Sequence, residues 1–131
     1  MQGSHLTADL RGCDADQPLM LSPAALRALC VDAVAAADLG AVAELFHRFT
    51  PASGQTQSGI TGVVLLAESH LAVHTWPELG AVTLDVYVCN FGADNSAKAD
   101  ALLQALLAGV AHQQADVQRL HRGRAVAGAV S

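Results

Sequence analysis

The chain has 131 residues, 52% apolar and 15% charged, enough for one domain with a hydrophobic core and unlike a disordered polymer. Its net charge is −5 and its seven Lys and Arg form no run, so no nucleic-acid partner is expected. Apolar runs such as Gly62 to Ala67 fall far short of the roughly 20 residues that cross a bilayer, and the start carries no basic-then-apolar leader, so neither a membrane partner nor export is expected.

Residues His5 to Cys13 alternate, with Leu6, Ala8 and Leu10 opposite Thr7, Asp9 and Arg11, which predicts a strand. Ser22-Pro23 reads as an N-cap followed by proline at the first helical position. The helix it opens runs to about Asp38, ended by Gly40, with Leu26, Leu29, Cys30 and Ala33 as its apolar stripe. Ala41 to Thr50 is a second strand, and a loop rich in Pro, Ser, Gly, Thr and Gln follows from Pro51 to Ser58. Ile60 to Ala67 and His70 to Trp76 are two further strands, with the turn between them assigned to Glu68-Ser69. Ala81 to Cys89 alternates again, with Thr83, Asp85, Tyr87 and Cys89 on one side. Asp94 or Asn95 caps a second helix reaching about Gln113, and Val117 to His121 forms a last short strand. No linker or repeat divides the chain, so residues 1–131 read as a single domain. The order β-α-β-β-β-β-α-β predicts an α+β fold, a two-layer sandwich of one antiparallel sheet with helices on one face. The other face then needs a partner.

The stretch ESHLAVHTWPE (68–78) holds two histidines, two glutamates and the only tryptophan. His70 and His74 have the spacing of paired zinc ligands on a helix, but in a strand they lie about 13 Å apart, too far to share an ion. No metal is expected. A serine hydrolase would carry G-x-S-x-G, and A-E-S-H-L does not match it. Three cysteines, at 13, 30 and 89, form no CxxC pair and fit a reducing, cytoplasmic setting. On spacing alone the segment reads first as a polar strand face, with Glu68-Ser69 as a plain turn.

Longer motifs narrow the choice. ESHLAVHTWPELG followed by LDVYVC resembles the processing and active-site region of the short prokaryotic S-adenosylmethionine decarboxylases, whose pattern is roughly S-G-V-V-V-x-x-E-S-H-L-x-I-H-T-W-P-E-Y-G and then a strand ending in T-C. HLTADLRGCD, LFHRFTP and LHRGR resemble that family's N-terminal strand, its F-H-R-F segment and its C-terminal strand, so the likeness covers nearly the whole chain. The resemblance implies cleavage between Glu68 and Ser69, giving a β chain (1–68) and an α chain (69–131). Ser69 would become a covalent pyruvoyl cofactor that forms a Schiff base with the substrate amine. It further implies that His74 transfers the processing proton, with Thr61 in support, and that Cys89 is the catalytic proton donor. Glu78 would bind the ribose hydroxyls, Phe49 would stack on adenine, and Trp76 would line the pocket. Short members resemble half of a longer duplicated form, which implies a homodimer of αβ protomers with shared active sites.

Three departures stand out: Thr61 replaces the family's serine, Leu79 replaces tyrosine, and the loop from Pro51 to Gly59 is longer. The expected reaction converts S-adenosylmethionine to CO2 and the aminopropyl donor of spermidine synthesis. Two alternatives stay open: a pyruvoyl decarboxylase of arginine or ornithine, and a non-processing regulatory paralogue.

Overall fold

The computed structural model describes residues 2–90 and 92–123. Strand β1 (Gly3–Arg11) leads through a 3-10 turn (Pro18–Met20) into helix α1 (Pro23–Ala36). Strands β2 (Ala41–Arg48), β3 (Ile60–Leu66), β4 (Ser69–Trp76) and β5 (Ala81–Cys89) follow as a meander. Helix α2 (Ser96–Gly109) then returns the chain to β6 (Gln114–Arg122). The six strands form one antiparallel sheet in the order β2-β3-β4-β5-β1-β6. Both helices cover the same side, so the expected α+β two-layer sandwich is the observed fold.

Alternation decides what faces the helices. Leu6, Ala8 and Leu10 of β1, Val64 of β3, Leu71 and Val73 of β4, and Val82, Leu84, Val86 and Val88 of β5 are buried against Leu26, Cys30 and Val34 of α1 and Leu102, Leu103 and Leu106 of α2. Full burial of one such side chain contributes about 1.5–3 kcal/mol. With the buried Ser4, Thr75 is a polar exception among the described residues. Its buried hydroxyl donates to the Met20 carbonyl and accepts from the Ile60 N–H, both at 3.0 Å, tying β4 to the turn before α1 and to the start of β3. No helix among the described residues is long and apolar enough to cross a membrane.

Several boundaries differ from expectation, each for a local reason. Gly12 takes φ +64° and ends β1 at Arg11, before Cys13. Helix α1 opens on Ser22 and Pro23 as expected, the Ser22 hydroxyl accepting from the Ala25 N–H at 3.1 Å. Asp38 rather than Gly40 ends it: at φ +59°, the Asp38 and Leu39 amides bond back to the carbonyls of Ala35 and Val34, a Schellman closure. Helix α2 ends at Gly109 instead of running to Gln113, because the Gln17 side chain takes both backbone groups of Ala111, at 2.8 and 2.9 Å. Strand β2 stops at Arg48, and β6 is nine residues long, in register with β1 throughout.

The turn between β3 and β4 is also corrected. Its two residues are Ala67 and Glu68, and Ser69 already belongs to β4, opposite Leu66. Glu68 has φ +52°, a left-handed conformation that costs a non-glycine residue about 1–2 kcal/mol.

Candidate active site

The residues singled out by motif form two groups at opposite ends of β4. At its start, the Ser69 hydroxyl accepts a hydrogen bond from the Cys89 N–H at 2.9 Å. The Cys89 thiol points to the Glu68 carboxylate, Sγ to Oε2 3.8 Å. The Asn95 side chain holds the Cys89 carbonyl at 2.9 Å, and the Asn90 N–H bonds to the Gln2 carbonyl at 2.7 Å, so the end of β5 is fixed on both sides. The turn, the Ser69 hydroxyl and the Cys89 thiol therefore meet at one point.

At the other end, Thr61 of β3 and His74 of β4 are register partners on the side away from the helices, with Thr61 Oγ1 2.9 Å from His74 Nδ1. The methyl group that distinguishes Thr61 from serine leaves this bond intact. The Trp76 ring stacks on His74 with centroids 5.5 Å apart. Phe49, Thr61, His74, Trp76 and Glu78 line one pocket of about 240 Å³ with residues of the 51–59 loop. That volume suits one end of a ligand rather than the whole of it. Five of the expected site residues thus share a pocket, but it does not include Ser69 or Cys89. Five residues of extended strand put His74 about 17 Å from Ser69.

Between the two groups lies a cluster that the sequence did not single out as a site. His5 Nε2 and His70 Nε2 approach the same Asp85 oxygen, at 2.8 and 3.3 Å. Tyr87 packs edge-on to His5, and the Arg122 guanidinium sits over its ring at 5.5 Å. The only available signal was that Asp85 and Tyr87 alternate in step with Cys89 along β5. The other two cysteines have no part here: burial pushes the Cys30 thiol up to about 12 and raises that of Cys13, which keeps both protonated.

A family model described as S-adenosylmethionine decarboxylase matches residues 4–123. The S-adenosylmethionine decarboxylase proenzyme of Pyrococcus furiosus is 36% identical over 121 residues, 92% of this chain and 78% of that one. The chain belongs to the S-adenosylmethionine decarboxylase family. The proenzyme of Aquifex aeolicus is 45% identical over 87 residues, 66% of this chain and 58% of its own. The crystal structure of the adenosylmethionine decarboxylase from that organism superposes with a TM-score of 0.81 at 34% identity, covering 98% of this chain and 97% of the other. The family likeness therefore spans both helices and all six strands, including both ends of β4.

Proposed function

We propose that the chain is a self-processing decarboxylase that converts S-adenosylmethionine to CO2 and the decarboxylated sulfonium used as aminopropyl donor in spermidine synthesis. The observation that carries this reading is the turn at the start of β4, where the Ser69 hydroxyl, the Cys89 thiol and the left-handed Glu68 converge within the family's E-S-H-L motif.

Processing starts when Ser69 Oγ bonds to the Glu68 carbonyl carbon and the Glu68–Ser69 C–N bond breaks, leaving an ester. Loss of the Ser69 α-proton then releases residues 1–68 as a carboxylate and leaves dehydroalanine, which water converts to a pyruvoyl group and ammonia. The site fits that group: its precursor hydroxyl is held in place, a thiol stands beside it, and the upstream residue is strained. A pyruvoyl group formed from Ser69 would supply the electrophilic carbonyl and electron sink that decarboxylation of an α-amino acid needs. Cys89 returns a proton to the substrate carbon, a role its position at the end of β5 supports.

His74 and Thr61 cannot reach Ser69 within one chain, across about 17 Å. A second copy resolves this. The side of the sheet opposite the helices leaves Leu45, Leu65 and Leu120 exposed. A two-fold axis between two such faces, running across β4, reverses the strand in the second copy and carries its His74 over the first copy's Ser69. The pocket of Phe49, Trp76 and Glu78 travels with His74, so the nucleoside end of the substrate is held by one protomer and its amino-acid end by the other. Phe49 offers a ring face to adenine and Glu78 a free carboxylate to the ribose hydroxyls.

Intact mass under denaturing conditions tests processing: two fragments divided at 68/69 are expected, and Ser69→Ala should remain one chain. An unprocessed wild type, or a variant still cut there, overturns the assignment. Release of labelled CO2 from S-adenosylmethionine, arginine and ornithine, side by side, tests the substrate.

A further inference from the structure

The pocket holding Phe49 and Glu78 also contains polar groups of the 51–59 loop, the segment in which this chain departs most from the family pattern. Its polar side chains divide into two kinds. Thr61 is bonded to His74, Thr75 to Met20 and Ile60, and the Ser58 hydroxyl donates to the Phe49 carbonyl; these build the walls. Five others, Thr50, Gln55, Gln57, Trp76 and Glu78, line the pocket and make no side-chain hydrogen bond to described residues. Thr50, Gln55 and Glu78 are exposed at the rim, whereas Gln57 and Trp76 are half-buried, and of these two Gln57 carries the amide.

Gln57 is also fixed relative to Phe49. The Phe49 N–H donates to the Gly59 carbonyl at 3.0 Å and Ser58 bonds to the Phe49 carbonyl, closing the loop at its base. Gly59 is itself seated against the Thr75 backbone so tightly that a Cβ would lie 1.6 Å from the Thr75 oxygen. An aromatic face and an uncommitted amide are thus held together in a pocket that also offers a carboxylate. The carboxylate only accepts, which suits paired hydroxyls. A side-chain amide presents an acceptor and a donor together, the complement of the N6–H and N7 edge of adenine.

We propose that Gln57 is a specificity-determining residue that reads the substrate's base: its carbonyl accepts from adenine N6–H and its amide donates to N7, with Phe49 against the ring. This rests on the reading that the pocket takes the nucleoside end of S-adenosylmethionine. The test is steady-state kinetics of the self-cleaved protein with S-adenosylmethionine and its 7-deaza analogue, which lacks the N7 acceptor. The wild type should prefer the natural substrate through KM by on the order of tenfold. Gln57→Ala should raise KM for S-adenosylmethionine by on the order of tenfold, leave kcat within about twofold and abolish the preference. Gln57→Glu keeps the side-chain length but has no donor for N7, and should lose the preference too; it decides the matter if the alanine variant fails to mature. A wild type indifferent to N7, or variants that keep its preference, would overturn the proposal while leaving decarboxylation intact. Absence of CO2 release by the wild type from either nucleoside would instead overturn the functional reading beneath it.

Discussion

Placing Ser69 and His74 at opposite ends of one strand has a quantitative consequence for mixed assemblies. Proton transfer needs heavy atoms within roughly 3 Å, directly or through one water, and about 17 Å of strand separates these residues in a single chain. Ser69→Ala removes the proposed nucleophile, and His74→Ala removes the group proposed to act on the opposite protomer's ester. Each variant alone should stay uncleaved or mature very slowly. Co-expressed in equal amounts and assembling at random, they form mixed dimers as about half of the population. Every mixed dimer has one intact site, where Ser69 from the His74→Ala chain meets His74 from the other, and one site lacking both residues. About one quarter of all sites should then mature, all on His74→Ala chains, half of which become cleaved. Mass spectrometry resolves the two chains by their substitutions, so the yield is read per chain. No cleavage in the mixture would mean that processing is completed within one protomer and would refute the shared site. Efficient cleavage of His74→Ala alone would remove His74 from the reaction.

Other expectations are more local. Cys89→Ala should mature at least partly but lose decarboxylation by on the order of 10²-fold or more, or protonate the wrong atom; unchanged turnover and product would remove it from the mechanism. Gly59→Ala places a methyl group where the Thr75 carbonyl stands, so melting should show a loss of about 1–3 kcal/mol together with a raised KM as Phe49 shifts, and an unchanged Tm and KM would refute the close packing. The Cys30 thiol, fully buried and pushed up to about 12, should resist a thiol reagent at pH 8 until the protein unfolds, and rapid labelling of the native state would contradict the packing of α1.

The parts of the fold legible in the sequence were those set by burial. The alternation in β1 and β5 and the stripe of Leu26, Cys30 and Ala33 each have one face against the core, so the pattern gives the element directly. Strand β6 exceeds the 117–121 span its sequence suggests because it is an edge strand exposed along its whole length; no apolar face marks its ends, and its register comes from β1. Helix α2 was read too long because the stop lies elsewhere in the chain, in the amide of Gln17 on Ala111. Asp38 and Glu68 take positive φ where a sequence reading looks first for glycine. The candidate site was legible as a motif but not as geometry. E-S-H-L-A-V-H is contiguous, yet an extended strand turns contiguity into separation. Gln57 carried no periodic signal, since a loop has none.

If the chain is cut as proposed, the strand order has a consequence for the life of the molecule afterwards. A cut at 68/69 assigns β1, β2 and β3 to one fragment and β4, β5 and β6 to the other. The sheet runs β2-β3-β4-β5-β1-β6, so the fragments are interleaved, with β1 of the first clasped between β5 and β6 of the second. Three of the five strand-to-strand seams then join different polypeptides. Pulling such fragments apart would mean unzipping those seams, so the proposed mature complex would persist by the slowness of its opening as much as by its free energy. Reassembly, in contrast, would be an encounter of two molecules, without the tether that makes β3 meet β4 at little entropic cost. Under the proposed cleavage, folding would belong to the precursor, and the cut would leave an assembly made once.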